Sequence, residues 1–491
     1  MIKGIHFLQN RLTRRHLFYI LAILSFLPLS ALYYFSPQNF VVMGSDELYY
    51  YKNTESFVLN GTIDAPFTYN TDGAKFGGAD AHGPAYSILN GIFVKCFGFK
   101  IIPFINLLIY VIILCVILLF KPISIFRRLL FISLVNLLVP IWYYLFGLYQ
   151  ETINLLFGLL TTFMIYKIYD GGKLALNKNI FIFCISLFIF SLFRPSWLVF
   201  TIALLPLSRN RKQLIIYITI FIFSLIVLFF LGSLLFEQFP TLLNKNLSRI
   251  AHGDFLKAFY SFAYNILLGL KHYFINFKDN SFFQIINKYL YFYGIIYLLN
   301  QGLRKKDNLA LALGVSSVLI FLLNLVLITN DESLRYLSFI YLFLVAYALL
   351  RNKRFLILIL LIAELICLPE AFVINRQVLK ERSMVANQFK SDPTFPLIKN
   401  YLSKNLDSPD NEIRVLIDYS EYDDFRFLMT LPVINSSGKQ IKYAIRYYNN
   451  NFNKNGINYC ITKHGAIPTL FESQIMDKIF EDKYFDLYKI H

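Results

Sequence analysis

The sequence predicts an all-α polytopic membrane protein, with about eleven transmembrane helices, a long first outer loop and a small C-terminal α/β domain outside the membrane. Three observations predict it. Of 491 residues, 57% are hydrophobic and 16% are charged, whereas soluble domains carry roughly a quarter of charged residues. Apolar stretches at 17–35, 102–120, 129–148, 213–236 and 309–328 each approach the ~20 residues needed to cross a ~30 Å hydrocarbon core. One such stretch fits a buried core helix; the series requires a bilayer. After residue 374 the chain turns polar, with strand-like runs at 413–418 and 459–462 and a helix-like stretch around 471–479, the pattern of a small α/β domain.

The elements follow in order. Arg11, Arg14 and Arg15 precede an apolar run of about 19 residues, longer than a signal-peptide core and without a small-residue cleavage site, so it reads as an uncleaved first helix. The outer loop 36–84 comes next. The short apolar segment 85–99 decides the later topology. If it spans, Lys121, Arg127 and Arg128 fall outside, with Lys167, Lys173 and Lys178; if it lies along the outer surface or re-enters, both clusters fall inside. The positive-inside rule selects the second arrangement. Segment 180–207 is interrupted by Arg194-Pro195, and proline breaks a helix while arginine is costly at mid-bilayer. Two short helices meeting near the outer face are expected. The clusters at Arg209, Arg211, Lys212, at Arg304, Lys305, Lys306 and at Arg351, Lys353, Arg354 then all lie inside, with the N-terminus inside and the C-terminus outside. A second outer loop spans 237–283. The expected domains are 1–374, transmembrane and catalytic, and 375–491, extracytoplasmic.

Lys plus Arg exceed Asp plus Glu by 47 to 30. Topology accounts for that excess, so nucleic acid is not an expected partner. Cys96, Cys115, Cys184, Cys367 and Cys460 form no CxxC pairing, which indicates neither a disulfide framework nor a zinc site.

The first outer loop carries most of the residues suited to chemistry. It opens on Gly44-Ser45-Asp46-Glu47-Leu48-Tyr49-Tyr50. Adjacent carboxylates at a membrane surface suit proton abstraction; they equally suit a helix N-terminus, with Ser45 capping and the acids complementing the dipole. The loop runs on through a glycine-rich stretch containing Lys75 and ends at His82-Gly83-Pro84-Ala85-Tyr86. Lys75 and His82 can meet an anion, or stand in an ordinary solvated loop. Arg194, Glu151, Glu364 and Arg335 are the charges nearest apolar surroundings. Intramembrane ionisable residues are functional candidates by default. Glu364 reads as structural, and Arg335 competes with a salt bridge to Asp331 or Glu332.

These pieces, in this order, resemble the GT-C superfamily of membrane glycosyltransferases, notably bacterial relatives of protein O-mannosyltransferase and of the aminoarabinose transferase acting on lipid A. The anchors are Asp46-Glu47 after the first helix, His82-Gly83-Pro84 followed by Tyr86 and Phe97-Gly98, and Glu332-x-x-Arg335-Tyr336-Leu337. Gly83 stands where the family commonly has a proline. The resemblance implies a sugar donor on polyprenyl phosphate, transferred outside the membrane with inversion, with Asp46 as general base and Glu47 orienting it or holding the acceptor. Arg194, Arg335, Lys75 and His82 would then face the donor phosphate, with Glu151, Tyr50 and Tyr86 toward the acceptor. No cofactor is required; a divalent cation held loosely at Asp46 and Glu151 is compatible with the pattern. The partners are the lipid-linked donor, a glycan, lipid or protein acceptor, and membrane lipids. Richness in Lys, Asn, Ile and Phe suggests an AT-rich bacterial genome, hence the inner membrane. A polysaccharide polymerase or O-antigen ligase, or a transporter of lipid-linked glycans, are the competing readings. Neither donor sugar nor acceptor is legible.

Overall fold

In the computed structural model, the described residues are 2–35, 41–70, 83–171, 173–235, 249, 252–275, 281–327, 333–392, 394–418, 425–446, 456–466, 476–482 and 485–491. They fall into two compact units, residues 1–36, 106–230 and 241–380 in one, and 37–105, 231–240 and 381–491 in the other.

The first unit is helical. It holds α1 (Ile2–Phe35), most of α4 (Ile102–Leu119), α5 (Ile125–Asn136), α6 (Trp142–Leu145), α7 (Glu151–Asp170), α8 (Lys173–Ser191), a 3-10 run (Pro195–Leu207) and most of α9 (Arg211–Leu235). It continues with α10 (Phe255–Phe274), α11 (Phe282–Arg304), α12 (Asn308–Leu327), α13 (Ser333–Leu350) and the larger part of α14 (Arg354–Ser391). The elements α2 (Ser45–Asn60), β1 (Phe67–Asn70) and α3 (Ala85–Phe97) belong to the second unit.

Among the described residues, six helices are long and apolar enough to cross a bilayer, or seven if the bent pair Ile125–Asn136 and Val139–Leu145, kinked by 56°, is one span. The expected number was about eleven. Part of the difference lies in the short apolar run Pro195–Leu207, whose 13 residues fall below the ~17 that a perpendicular crossing demands. Helix α8 ends at Ser191 and the 3-10 run begins at Pro195, with Arg194 in extended conformation (φ −152°, ψ 113°). Proline at the start of that run costs no hydrogen bond, because a first-turn amide has no internal partner.

The second unit is built on a six-stranded sheet of β1, β2 (Glu412–Asp418), β3 (Gln440–Arg446), β4 (Tyr459–Lys463), β5 (Met476–Glu481) and β6 (Phe485–Ile490), in the order β1-β3-β2-β4-β6-β5. The pairs β1–β3, β2–β3 and β2–β4 are parallel; β4–β6 and β5–β6 are antiparallel. Alternation on β2 sends Ile413, Val415 and Ile417 to one face, where they pack with Leu48 and Tyr49 of α2, Ile398 and Leu402 of α15 (Thr394–Asn405) and Phe427 of α16 (Phe425–Thr430). Leu416 joins Ala444 and Cys460 on the other face.

Two departures from the sequence expectation have physical causes. The stretch around 471–479 is not helical where it is described: Met476–Glu481 is an edge strand, held by antiparallel bonds to β6 that override a helical pattern. The first outer loop contributes β1 to the sheet, register Phe67 to Tyr443, and the stacking of those rings at 4.6 Å secures it.

Candidate functional site

The carboxylate pair opens α2. Gly44, not Ser45, is the N-cap residue, its extended backbone (φ −152°, ψ 163°) leading into the helix and its carbonyl accepting from Leu48 N at 3.1 Å. Asp46 and Glu47 occupy the first turn, where unpaired amides favour negative charge. Their surroundings differ. Glu47 is 0% exposed; its Oε2 accepts from Met43 N at 2.9 Å, and Arg382 Nη2 lies 2.8 Å from Oε1 and 2.9 Å from Oε2. Arg382, at the end of α14, is itself 1% exposed. Asp46 is half-buried. Of the two acids, only Asp46 retains an accessible side chain.

Tyr50 lies one turn further along α2, its ring edge-on to Tyr86 of α3 at 4.9 Å. Both rings are fully buried, so they join α2 to α3 rather than line an open surface.

A second charged cluster on α2 had no sequence signal. Lys52 Nζ donates to Glu55 Oε2 at 2.7 Å and to the Leu431 carbonyl, while Lys399 of α15 reaches Glu55 Oε1 at 3.1 Å. Burial pushes the Lys52 ammonium down to about 8, with Glu55 partly opposing that shift. Burial alone would raise the Glu55 carboxyl, but Lys52 and Lys399 outweigh it and hold it below the usual range.

In the helical unit, Glu151 is buried in the first turn of α7, behind the N-cap residue Gln150. Asn106 fixes the preceding loop: its amide donates to the carbonyls of Tyr144, Gly147 and Tyr149 at 2.9, 2.7 and 3.0 Å. Arg194 Nη2 lies 3.7 Å from Glu151 Oε1, with its side chain 20% exposed, an ion pair too long for a direct hydrogen bond. Trp197 anchors the start of the 3-10 run by donating to Asn154 Oδ1 at 3.1 Å.

The expected site residues therefore fall in two groups. Asp46, Glu47, Tyr50 and Tyr86 are together in the sheet-containing unit; Glu151 and Arg194 are together in the helical one. Arg335 lies in α13, but its side chain is outside the described residues, as are Lys75 and His82. Arg382 and Lys399 were missed because their partners lie 335 and 344 positions away.

Among the described residues, one group of metal-ligand type is close enough to share an ion: His464, Glu481 and Asp486. Lys478 lies 3.2 Å from Glu481 and 3.0 Å from Asp486, so an ammonium already balances the acids.

No family model matches the sequence, and no curated protein matches it. Among solved structures the chain is similar to ArnT from Cupriavidus metallidurans in the apo state, at 11% identity and a TM-score of 0.47, over 96% of this chain and 97% of that one. A similarity at that level assigns neither an activity nor a residue role.

Proposed function

We propose that the chain is an integral membrane glycosyltransferase that moves a sugar from a polyprenyl-phosphate donor to an acceptor hydroxyl outside the bilayer, with inversion. The observation that carries the residue assignment is the division of labour at the start of α2: Glu47 is committed to Arg382 and Met43 N, and half-buried Asp46 stands beside it. The class rests on the sequence resemblance and on the span-length helices.

Asp46 is the general base. It takes the acceptor proton as the acceptor oxygen attacks the anomeric carbon from the face opposite the leaving group. The bond from that carbon to the phosphate oxygen breaks, and polyprenyl phosphate departs with the electron pair. One base suffices for such a displacement. Glu47 is a positioning residue, fixing the first turn of α2. The departing phosphate needs fixed cations; Arg194, with Glu151 holding its guanidinium, leads the candidates, followed by Arg335, Lys75 and His82. The protein would be multi-pass in the inner membrane, with a cytoplasmic N-terminus, and would need no cofactor.

The test is transfer from a panel of radiolabelled polyprenyl-phosphate sugars to membrane acceptors, comparing wild type with Asp46→Asn at matched expression and melting behaviour. Wild type is expected to accept one donor, and the variant to lose about 10²–10⁴-fold in rate. Transfer that survives substitution removes Asp46 from the mechanism. No transfer with any donor overturns the class and turns attention to a polymerase, ligase or transporter.

A further inference from the structure

The break at Arg194 returns the chain along α8, and α9 follows the 3-10 run. These three elements line an open apolar groove of about 570 Å³, within the roughly 300–1,000 Å³ range of single-ligand sites. Its walls are apolar, with Phe181, Phe188 and Phe223 among them, and Asn177 and Gln213 line one end. One polar side chain is sunk in the lining: Tyr217 is 2% exposed, and its phenolic oxygen has no hydrogen-bond partner among the described residues. Buried hydroxyls are nearly always paired. An orphan one in a groove wall marks the place of a ligand oxygen.

Next to that polar end in sequence stand three cations. Lys178 follows Asn177, and Arg211 and Lys212 precede Gln213; all three cations are exposed. Neighbouring Arg209 is spent, donating to the Gly171 carbonyl at 2.5 Å, and Asn210 Oδ1 accepts from Gln213 N at 2.9 Å, so the rim is locally fixed.

We propose that this groove binds one anionic glycerophospholipid, with its phosphate at Lys178, Arg211 and Lys212, an ester carbonyl accepting from Tyr217, and an acyl chain along the phenylalanines. Tyr217 lies five residues beyond Lys212, about 7.5 Å along the helix at 1.5 Å per residue. That matches the depth of the headgroup layer, roughly 5–8 Å on each side of the hydrocarbon core, where the glycerol esters follow the phosphate. A polyprenyl phosphate carries no oxygen below its phosphate and would leave Tyr217 unpaired. The inference is independent of the proposed transfer reaction.

The experiment is native mass spectrometry of the delipidated full chain, titrated separately with phosphatidylglycerol, phosphatidylcholine and decaprenyl phosphate. One phosphatidylglycerol is expected to be retained with a preference of about tenfold or more over phosphatidylcholine, since each surface Lys or Arg adds attraction for an anionic headgroup. Replacing exposed Lys178, Arg211 and Lys212 together by alanine should abolish that preference without lowering the melting temperature. Tyr217→Phe, which removes only the hydroxyl, should weaken retention of both glycerolipids. Equal retention of the two glycerolipids by wild type overturns the proposal, as does indifference to either variant. Preferred retention of decaprenyl phosphate also overturns it, giving the groove to a prenyl lipid instead.

Discussion

Arg382 and Glu47 remove each other's charge from an environment with almost no solvent. Truncating one partner of a buried ion pair costs far more than the pair contributes, because the other charge stays behind. Arg382→Ala is therefore expected to lower stability by about 3–5 kcal/mol. Glu47→Leu combined with Arg382→Met should cost much less than the two single changes added. Thermal melting of the four proteins in one detergent reads the cycle, and simple additivity would refute the coupling. Lys52 makes a pH prediction. Its folded value, about 8, lies below its ordinary value of 10.5, so between those limits the unfolded chain holds more protons, and stability rises with pH. Melting temperature should climb from pH 8 toward pH 10, and Lys52→Met should flatten the climb; an equal slope in both proteins excludes Lys52 as its source. Glu55 acts at the acid end, where its contribution is lost as pH falls through its depressed folded value. At this scale the sequence showed only what is local. Asp46-Glu47 announced a helix start, whereas nothing in one sequence links Glu47 to an arginine 335 positions away.

The elements follow the same division between local and distant signals. Strands β2 and β4 could be read because their alternating apolar residues meet a single core. The break at Arg194-Pro195 was legible because proline acts through its own geometry. The edge strand β5 was not, since only pairing with β6 makes it a strand, and β1 was not, since its partner β3 lies hundreds of residues later. Phe67 fixes that distant pairing. It is fully buried and stacked on Tyr443, so Phe67→Ala should cost about 3–5 kcal/mol and accelerate amide exchange in β1 and β3. Unchanged exchange there would show that the stack does not secure the strand. In the helical unit, Gly302 of α11 admits the backbone of α12: a Cβ at 302 would lie 2.7 Å from Leu311 Cα. Small residues allow such close helix contacts. Gly302→Ala should therefore destabilise by about 1–3 kcal/mol through overpacking, read by melting in detergent; Gly253 has open space but φ of +81°, so Gly253→Ala should cost about 1–2 kcal/mol through backbone strain alone, and a Gly302→Ala protein that melts like wild type would refute the crowding.

Across the helical unit, the basic clusters that defined the expected topology are tied to one another. Arg351 Nη2 donates to Asp307 Oδ1 at 2.9 Å and to Tyr169 Oη at 2.8 Å, linking the chain around 304–307 and 351–354 to the end of α7. Arg127 Nη1 donates to the Leu349 carbonyl at 3.1 Å, bringing in the first turn of α5, and the bond from Arg209 to the Gly171 carbonyl brings in the turn before α9. Five segments that the positive-inside rule assigned to one side thus share one end of the bundle. The number of crossings was less legible, because apolar runs of similar hydropathy serve both as spans and as short buried helices. Sidedness supplies a direct test. In a cysteine-free chain, Lys121→Cys, Lys306→Cys and Arg354→Cys should each resist a membrane-impermeant maleimide in intact spheroplasts and react once the membrane is opened. Lys463→Cys, on an exposed position of β4, should react without opening. If the three basic positions divide between the two sides, the common basic end is wrong. If all three react from outside while position 463 does not, the shared end survives and the orientation is reversed, which would place the residues proposed for transfer on the cytoplasmic side.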